Sequence, residues 1–167
     1  MFGFVFGFLY GSLLEYLIHD LVFHRMGKKK GSIWSYHLRG HHALAKKNKF
    51  LDQTKSKVET YGLLILIAIH LPLLLVSVGF TIGVVTYAVA FNLLHGFQHR
   101  HPEFTKKYMK WHWDHHMGPR ECVEANWCVT FPLFDYVMGT RKPYYNTNRY
   151  FMDMAKKSVR AINEKDN

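Results

Sequence analysis

Ten of the twelve histidines in this 167-residue chain fall into four short clusters, and they are the residues best suited to chemistry. The clusters read HDLVFH, HLRGHH, HGFQH and HWDHH, so a pair and a triplet are followed by a second pair and a second triplet. Their members are His19, His24, His37, His41, His42, His95, His99, His112, His115 and His116. Neutral imidazole binds iron, zinc, copper and nickel. Because five imidazoles can surround one ion and ten can surround two, the clusters predict a metal centre held almost wholly by nitrogen.

The spacing within the clusters fits an ordinary helix in two cases and departs from it in two. HWDHH places its histidines at i, i+3 and i+4, and HGFQH places them at i and i+4, so each set shares one helix face. His19 and His24 are five residues apart, about 140° around an ideal helix, so one of them is expected to ligate from where that helix ends. The spacing in HLRGHH predicts a turn or a distorted helix.

Four other residues with ligand chemistry are predicted to be bystanders. His70 lies in the middle of an apolar stretch, where a packed core position is expected. His101 follows Arg100 and is expected to contact lipid headgroups. Cys122 and Cys128 lack the spacing of a zinc ribbon, so they are expected to be reduced thiols that pack inside the protein.

Charge-free stretches indicate the elements that position the clusters. No Asp, Glu, Lys or Arg occurs in the 40 residues from Thr60 to His99, nor from Met1 to Leu14. Pro72 and the sequence VSVG at Val76–Gly79 predict a bend that folds the longer stretch into a hairpin. We therefore expect an all-α integral membrane protein of one domain, 1–167, without a signal peptide, and with spans near 2–18, 61–78 and 80–98.

The net charge of +10, from 22 basic and 12 acidic residues, is concentrated beside these spans. Between Arg25 and Lys57 there are ten basic residues and one acid, Asp52. A hairpin returns the chain to the side it left, so residues 19–57 and 99–150 are expected to form a helical cap on one membrane face. The excess of lysine and arginine predicts that this face is cytoplasmic and contacts anionic lipid headgroups. Nucleic acid is not expected as a partner, because no basic and aromatic platform occurs away from the membrane flanks.

The four clusters, in this order around an apolar hairpin, resemble the histidine boxes of the fatty acid hydroxylase (sterol desaturase) superfamily of membrane di-metal oxidases. The segment HGFQHRHPEFTKKYMKWHWDHH, followed by WCVTFPLFDYVMGT, is similar to the later boxes and closing segment of that family, most of all in the fatty acid 2-hydroxylase branch. The resemblance runs from about His19 to Thr140. Two features depart from it: the first triplet is HX3HH where the branch more often has HX2HH, and one span rather than two precedes the first box.

The resemblance implies a non-haem di-iron centre on the cytoplasmic membrane face, with the ten clustered histidines as ligands. O2 and two electrons would hydroxylate an unactivated C–H bond of a fatty acyl or related lipid chain. Zinc can substitute for iron in purified relatives. The electrons are expected from a separate reductase, ferredoxin or cytochrome-type protein, because no such domain is fused to the chain.

Residues between and after the boxes are expected to support the ligands. Asp114, Asn126 and Asp135 are candidates for orienting the imidazoles, with helix capping and turn formation as an equally weighted alternative. The tryptophans of this region, Trp111, Trp113 and Trp127, are expected to anchor at the membrane interface.

Other functions remain open at this point. A carotenoid ring hydroxylase or a sterol desaturase or oxidase would use the same kind of histidine boxes, and hydroxylation is not distinguishable from desaturation. From different classes, the chain could be a membrane protein for metal storage or transport, or a lipid-binding scaffold. The closing FPLFDYVMGT favours the fatty acid and sterol enzymes, and the position of the boxes at span ends disfavours a transporter.

Overall fold

The structure, a computed structural model, describes residues 1–54, 57–146 and 152–157, and within these ranges it is helical and has no strand. Its α-helices are α1 (Phe2–Leu17), α2 (Ala43–Lys47), α3 (Lys57–His70), α4 (Val78–Arg100), α5 (Pro102–Tyr108), α6 (Lys110–Met117), α7 (Arg120–Val123) and α8 (Leu133–Val137). Two π-helices span Ile18–Arg25 and His37–His42, and short 3₁₀ turns span Met26–Lys28, Leu71–Leu75 and Tyr144–Asn146. Residues 152–157 are also helical. The predicted all-α fold is confirmed.

Three helical stretches of the described residues are long and apolar enough to cross a membrane: Phe2–Lys28, Lys57–Leu75 and Val78–Arg100. The chain bends between the second and third stretch, where Ser77 adopts an extended conformation with φ −155° and ψ 100°. Ser77 Oγ then accepts a hydrogen bond from the Phe80 N–H and so caps the start of α4. The bend therefore lies within the VSVG segment that predicts it.

Helices α1 and α4 form the main helix pair of the fold. They approach closely because glycines face each other along the contact. A Cβ atom added to Gly7 would lie 2.0 Å from the carbonyl oxygen of Phe80, and one added to Gly83 would lie 2.3 Å from the carbonyl oxygen of Phe4. Only a residue without a side chain lets the two backbones pack at this distance, as is common for helices inside membranes.

A segment after the last histidine box, residues 125–141 (the closing segment), is fixed to the end of α1. Trp127 and Cys128 of this segment are buried against Tyr16. The carboxylate of Glu15 accepts hydrogen bonds from the backbone N–H groups of Val129 and Thr130. The last turn of the first spanning helix and the closing segment therefore form one packed unit.

The two π-helices explain the histidine spacings that do not fit an ordinary helix. A π-helix closes its hydrogen bonds from i to i+5, so side chains five residues apart come round to nearly the same face. His19 and His24 both lie in the first π-helix and both point inward, where we expected one of them to ligate from a helix end. His37, His41 and His42 are likewise buried together in the second π-helix, which is the distorted helix that HLRGHH predicts.

Candidate metal centre

All ten clustered histidines meet in one cluster where the spanning helices end. The ligand nitrogens of nine of them form two groups, in each of which the atoms lie within 4.8 Å of one another. The first group is His19, His24, His37, His42 and His115; the second group is His41, His95, His99 and His116. His112 lies beside the second group, with its ring centroid 4.7 Å from that of His116 and 4.9 Å from that of His99.

Each pair of histidines serves one group, while each triplet is divided between both. HDLVFH contributes only to the first group and HGFQH only to the second. His41 and His42 are neighbours in sequence but belong to different groups, as do His115 and His116. Consecutive side chains on a helix point about 100° apart, so one helix can present a ligand to each group. The two groups are therefore adjacent parts of a single centre.

The Nε2 atoms face one another inside the groups. The close pairs are His19 with His37 at 3.0 Å, His24 with His115 at 3.1 Å, His42 with His115 at 3.1 Å, and His41 with His95 at 3.2 Å. The buried Nε2 atoms of His99, His112 and His116 have no hydrogen-bond partner among the described residues. Buried ring nitrogens without partners are costly, whereas cations between them would bind these lone pairs. This donor set fits metal ions.

The Nδ1 atoms point outward, to side chains that hold three of the rings. His37 Nδ1 lies 3.0 Å from Glu59 Oε1, and His41 Nδ1 lies 2.7 Å from Asp52 Oδ2. His112 Nδ1 is hydrogen-bonded to the side-chain oxygen of Gln98. In each case an Nδ1–H that donates to oxygen leaves Nε2 unprotonated and aimed into the cluster. Metal-binding histidines have this arrangement in most proteins.

Backbone carbonyl groups hold three more rings in the same way. His115 Nδ1 lies 2.7 Å from the oxygen of Ala125, and His99 Nδ1 lies 2.8 Å from the oxygen of Phe50. His19 Nδ1 donates to the carbonyl oxygen of Trp127. Six of the ten imidazoles thus have an oxygen acceptor for Nδ1–H, two of them from the closing segment.

The three residues expected to orient the imidazoles do so only indirectly. Within the described residues, Asp114, Asn126 and Asp135 form no hydrogen bond with a histidine. Asp114 accepts a hydrogen bond from Arg141 at 2.9 Å, and Asn126 Oδ1 accepts another from Arg141 at 2.8 Å. The Asp135 carboxylate accepts a hydrogen bond from the Trp127 N–H at 2.8 Å and another from the Cys128 N–H at 2.9 Å. These direct contacts are with Arg141 and with backbone N–H groups of the closing segment.

These contacts nevertheless act on the ligands, because they shape the closing segment. Asn126 lies between the two residues whose carbonyl groups accept from His115 and His19, and its φ of 57° is in the left-handed region. Asparagine tolerates this conformation better than most residues. The three side chains thus fix the two carbonyl acceptors rather than the imidazoles themselves.

Trp127 forms part of the wall of the first group and is not at the membrane interface, which corrects that expectation. Its side chain is buried, and its ring centroid lies 4.7 Å from His24, 5.7 Å from His115 and 6.0 Å from His19. The correction follows from the closing segment, which the carboxylate of Glu15 holds against the end of α1, next to the π-helix that contains His19 and His24.

Burial keeps the imidazoles neutral. For the histidines outside the spanning stretches, burial lowers the pKa well below the ordinary value of 6.5, and the neighbouring imidazoles lower it further; these are His37, His42, His112, His115 and His116. Burial would raise the pKa of Asp52, but hydrogen bonds from His41 and Thr54 outweigh it, and the pKa lies below its usual range. Neutral rings beside an ionised carboxylate are the states that metal binding requires.

The predicted bystanders lie outside both groups. His70 hydrogen-bonds the Leu66 carbonyl oxygen at 2.7 Å and the Tyr10 hydroxyl at 3.3 Å. His101 is exposed and packs on Phe97. Both cysteines are free and buried, as expected for reduced packing residues, and neither is in a ligand group.

Comparison with known proteins places this centre in a family. The sequence model of the family described as fatty acid hydroxylase matches residues 4–140, which include every clustered histidine and most of the closing segment. Searches of curated proteins and of solved structures gave no significant match. The family implies an oxidoreductase in the membrane, in agreement with the three apolar helices and the histidine cluster. The chain belongs to the fatty acid hydroxylase family.

Proposed function

We propose that this protein hydroxylates a fatty acyl chain at a pair of iron ions held by the ten clustered histidines. The first ion is assigned to the group of five, and the second to His41, His95, His99 and His116 together with His112. One oxygen atom of O2 enters a C–H bond and the other leaves as water, with two protons and with two electrons from a separate donor protein. The 2-hydroxylase branch remains the favoured subgroup.

One observation supports the proposal above all others: six of the rings are held from outside through Nδ1, with Nε2 facing inward. Carboxylates, an amide and carbonyl groups accept from Nδ1 in these six rings. Among the described residues, the inward Nε2 atoms either face another imidazole nitrogen or have no hydrogen-bond partner. A cluster built only for packing would satisfy its polar atoms within the protein. This arrangement favours permanent metal binding over loose storage or transport.

The chain's own residues would hold the ions and bring the lipid to them. When bound, an iron pair supplies the activation of O2 that organic side chains cannot provide. The neutral imidazoles supply nitrogen ligands, and Asp52 and Glu59 retain the Nδ1 protons of His41 and His37. Among the described residues, no carboxylate joins the two ligand groups. The cluster lies at the ends of the spanning helices, and we propose that the acyl chain approaches it from within the membrane.

The cytoplasmic placement of the centre is part of the proposal. The sequence has ten basic residues and one acid between Arg25 and Lys57, the stretch that contains the histidines of HLRGHH, and this excess favours the cytoplasmic face. A cysteine-accessibility assay on intact cells tests it with the variants Lys47→Cys and Val76→Cys, of which Val76 lies at the opposite end of the hairpin. A thiol reagent that does not cross the membrane should label Val76→Cys before lysis and Lys47→Cys only afterwards. Labelling of Lys47→Cys before lysis would refute the orientation.

The enzymatic test combines lipid analysis with metal analysis. We expect the expressed protein to add hydroxyl groups to acyl chains of the host, as measured by mass spectrometry, and to hold about two ions per chain. The double variant His115→Ala/His116→Ala removes one ligand from each group and should lose both properties. His101→Ala is the matched control, because this histidine lies outside both groups and should leave them unchanged.

The same experiment separates the alternatives. Ring-hydroxylated carotenoids with unchanged acyl chains would indicate a carotenoid hydroxylase, and new double bonds would indicate a desaturase. Loose, variable metal loading with no oxidised lipid would favour storage or transport. An unaltered lipid phenotype in the double variant would refute the proposed role of the histidines.

A further inference from the structure

A cavity of about 670 Å³ lies between the end of the first π-helix and the start of the second, outside the histidine cluster. Its charged lining residues are Arg25, Lys29 and Lys30, and its large apolar ones are Met26, Ile33 and Trp34. The proposed oxidation uses none of these side chains. Such a lining suits a molecule with an anionic head and an apolar stem.

The two lysines carry the uncompensated charge of the cavity. Arg25 is engaged with Asp20 through two hydrogen bonds of 2.8 and 2.6 Å, and the preceding Lys28 pairs with Glu124 at 3.0 Å. In the part of the chain that the structure describes, no carboxylate lies within 4.0 Å of the Lys29 or Lys30 ammonium. Their charges therefore remain available to an external anion.

The apolar lining and the position of the cavity indicate where that anion comes from. Ile33 is 66% exposed and Met26 is 52% exposed, although both are large hydrophobic residues. The stretch Phe2–Lys28, which is apolar enough to cross a membrane, ends at this cavity. At the end of a spanning helix, lysines meet the phosphate groups of lipids and apolar side chains meet the glycerol and upper acyl region.

We propose that this cavity is a binding site for one anionic phospholipid, with its phosphate between Lys29 and Lys30 and its apolar stem against Met26, Ile33 and Trp34. The Trp34 ring lies 6.0 Å from Phe23, which stacks at 4.8 Å on His37 of the first group. The lipid is therefore bound beside the histidine cluster and not within it. This inference is independent of the proposed oxidation, since the site needs no metal.

Native mass spectrometry of the purified, detergent-solubilised full chain tests this site by counting retained lipid. Protein exchanged into phosphatidylglycerol should retain one tightly bound molecule, whereas phosphatidylcholine should be lost. Lys29→Gln/Lys30→Gln should weaken phosphatidylglycerol binding by about 25-fold, because each lysine near an anionic lipid contributes about fivefold. Lys46→Gln/Lys47→Gln is the matched control: it removes the same charge from two exposed lysines at the end of α2 and should retain the lipid.

Further arms of the experiment identify the ligand. Inorganic phosphate at millimolar concentration should not displace the lipid, because it lacks the stem, and Ile33→Ser should weaken lipid binding. Equal loss of lipid in both lysine variants would show attraction to the basic loop as a whole and would overturn the assignment. Full retention in Lys29→Gln/Lys30→Gln, or displacement by phosphate alone, would overturn it as well. Circular dichroism of each variant verifies that it is folded.

Discussion

In each ligand group, the structure describes one histidine whose Nδ1 is hydrogen-bonded to a carboxylate. Substituting that carboxylate should therefore lower the metal affinity of one group and not of the other. Asp52 holds His41 of the second group and Glu59 holds His37 of the first. Asp52→Ala should weaken mainly the second ion, and Glu59→Ala mainly the first. Preparations of either variant should then lose one ion of two when challenged with a chelator.

The two effects should differ in size. Leaving a buried N–H without its acceptor costs about 1–3 kcal/mol, which is about 5- to 150-fold in affinity. The Asp52 contact is 2.7 Å long and its side chain is 2% exposed, so water cannot replace the carboxylate. The Glu59 contact is 3.0 Å and its side chain is 25% exposed, so water can partly replace it. We expect losses of about 100-fold for Asp52→Ala and about tenfold for Glu59→Ala.

The assay is competition with a chelator of known affinity, followed by metal analysis per chain. Asp52→Asn should retain part of the affinity, because its amide oxygen can still accept from His41. Glu103→Ala, at an exposed acid on α5, should match the unaltered protein. If either alanine variant released both ions together, or if neither altered the titration, the division of ligands between the two groups would be wrong.

Three further predictions concern stability, followed by thermal unfolding in detergent. Gly83→Ala should destabilise the protein by about 1–3 kcal/mol because the new methyl group meets the Phe4 carbonyl, whereas Gly62→Ala, with 3.7 Å of room, should not. Arg141→Ala should lower the free energy of unfolding by about 3–5 kcal/mol, because it leaves buried Asp114 without its cationic partner. An unchanged unfolding temperature would exclude a stabilising role for that pair. The metal-free protein should lose stability as the pH falls below 6.5. Its buried histidines have lowered pKa values, so the unfolded chain binds more protons than the folded one. An unfolding temperature that stays constant between pH 7.5 and 5 would contradict this.

The spans and the ligand clusters could be predicted because their signals are local. Forty residues without a formal charge indicate spanning helices wherever they occur, and histidines at i, i+3 and i+4 share a helix face whatever surrounds them. The π-helices were only partly predictable. The five-residue spacing of His19 and His24 shows that the two side chains cannot share one face of an ordinary α-helix. The sequence does not distinguish a π-helix from an α-helix that ends between them.

The groups that accept hydrogen bonds from the histidines could be predicted only where they are acidic side chains. Asp52 is the single acid among ten basic residues, which is a usable signal for a buried partner, and Glu59 is the last acid before the charge-free stretch. The carbonyl groups of Ala125 and Trp127 give no such signal, because every residue has one. Their role depends on how the closing segment folds, so the sequence offers Asp114, Asn126 and Asp135 only as candidates, with helix capping and turn formation as an equal alternative.

The closing segment sets an order of events during biosynthesis. His19 emerges early from the ribosome, yet the carbonyl group that orients it lies 108 residues later, and Arg141, which fixes that segment, follows later still. A nascent chain can insert its first helix and expose imidazoles long before those rings acquire a defined tautomer. Metal loading therefore belongs after synthesis has passed residue 141. A chain that ends at residue 124 would carry all ten clustered histidines and should still bind metal poorly.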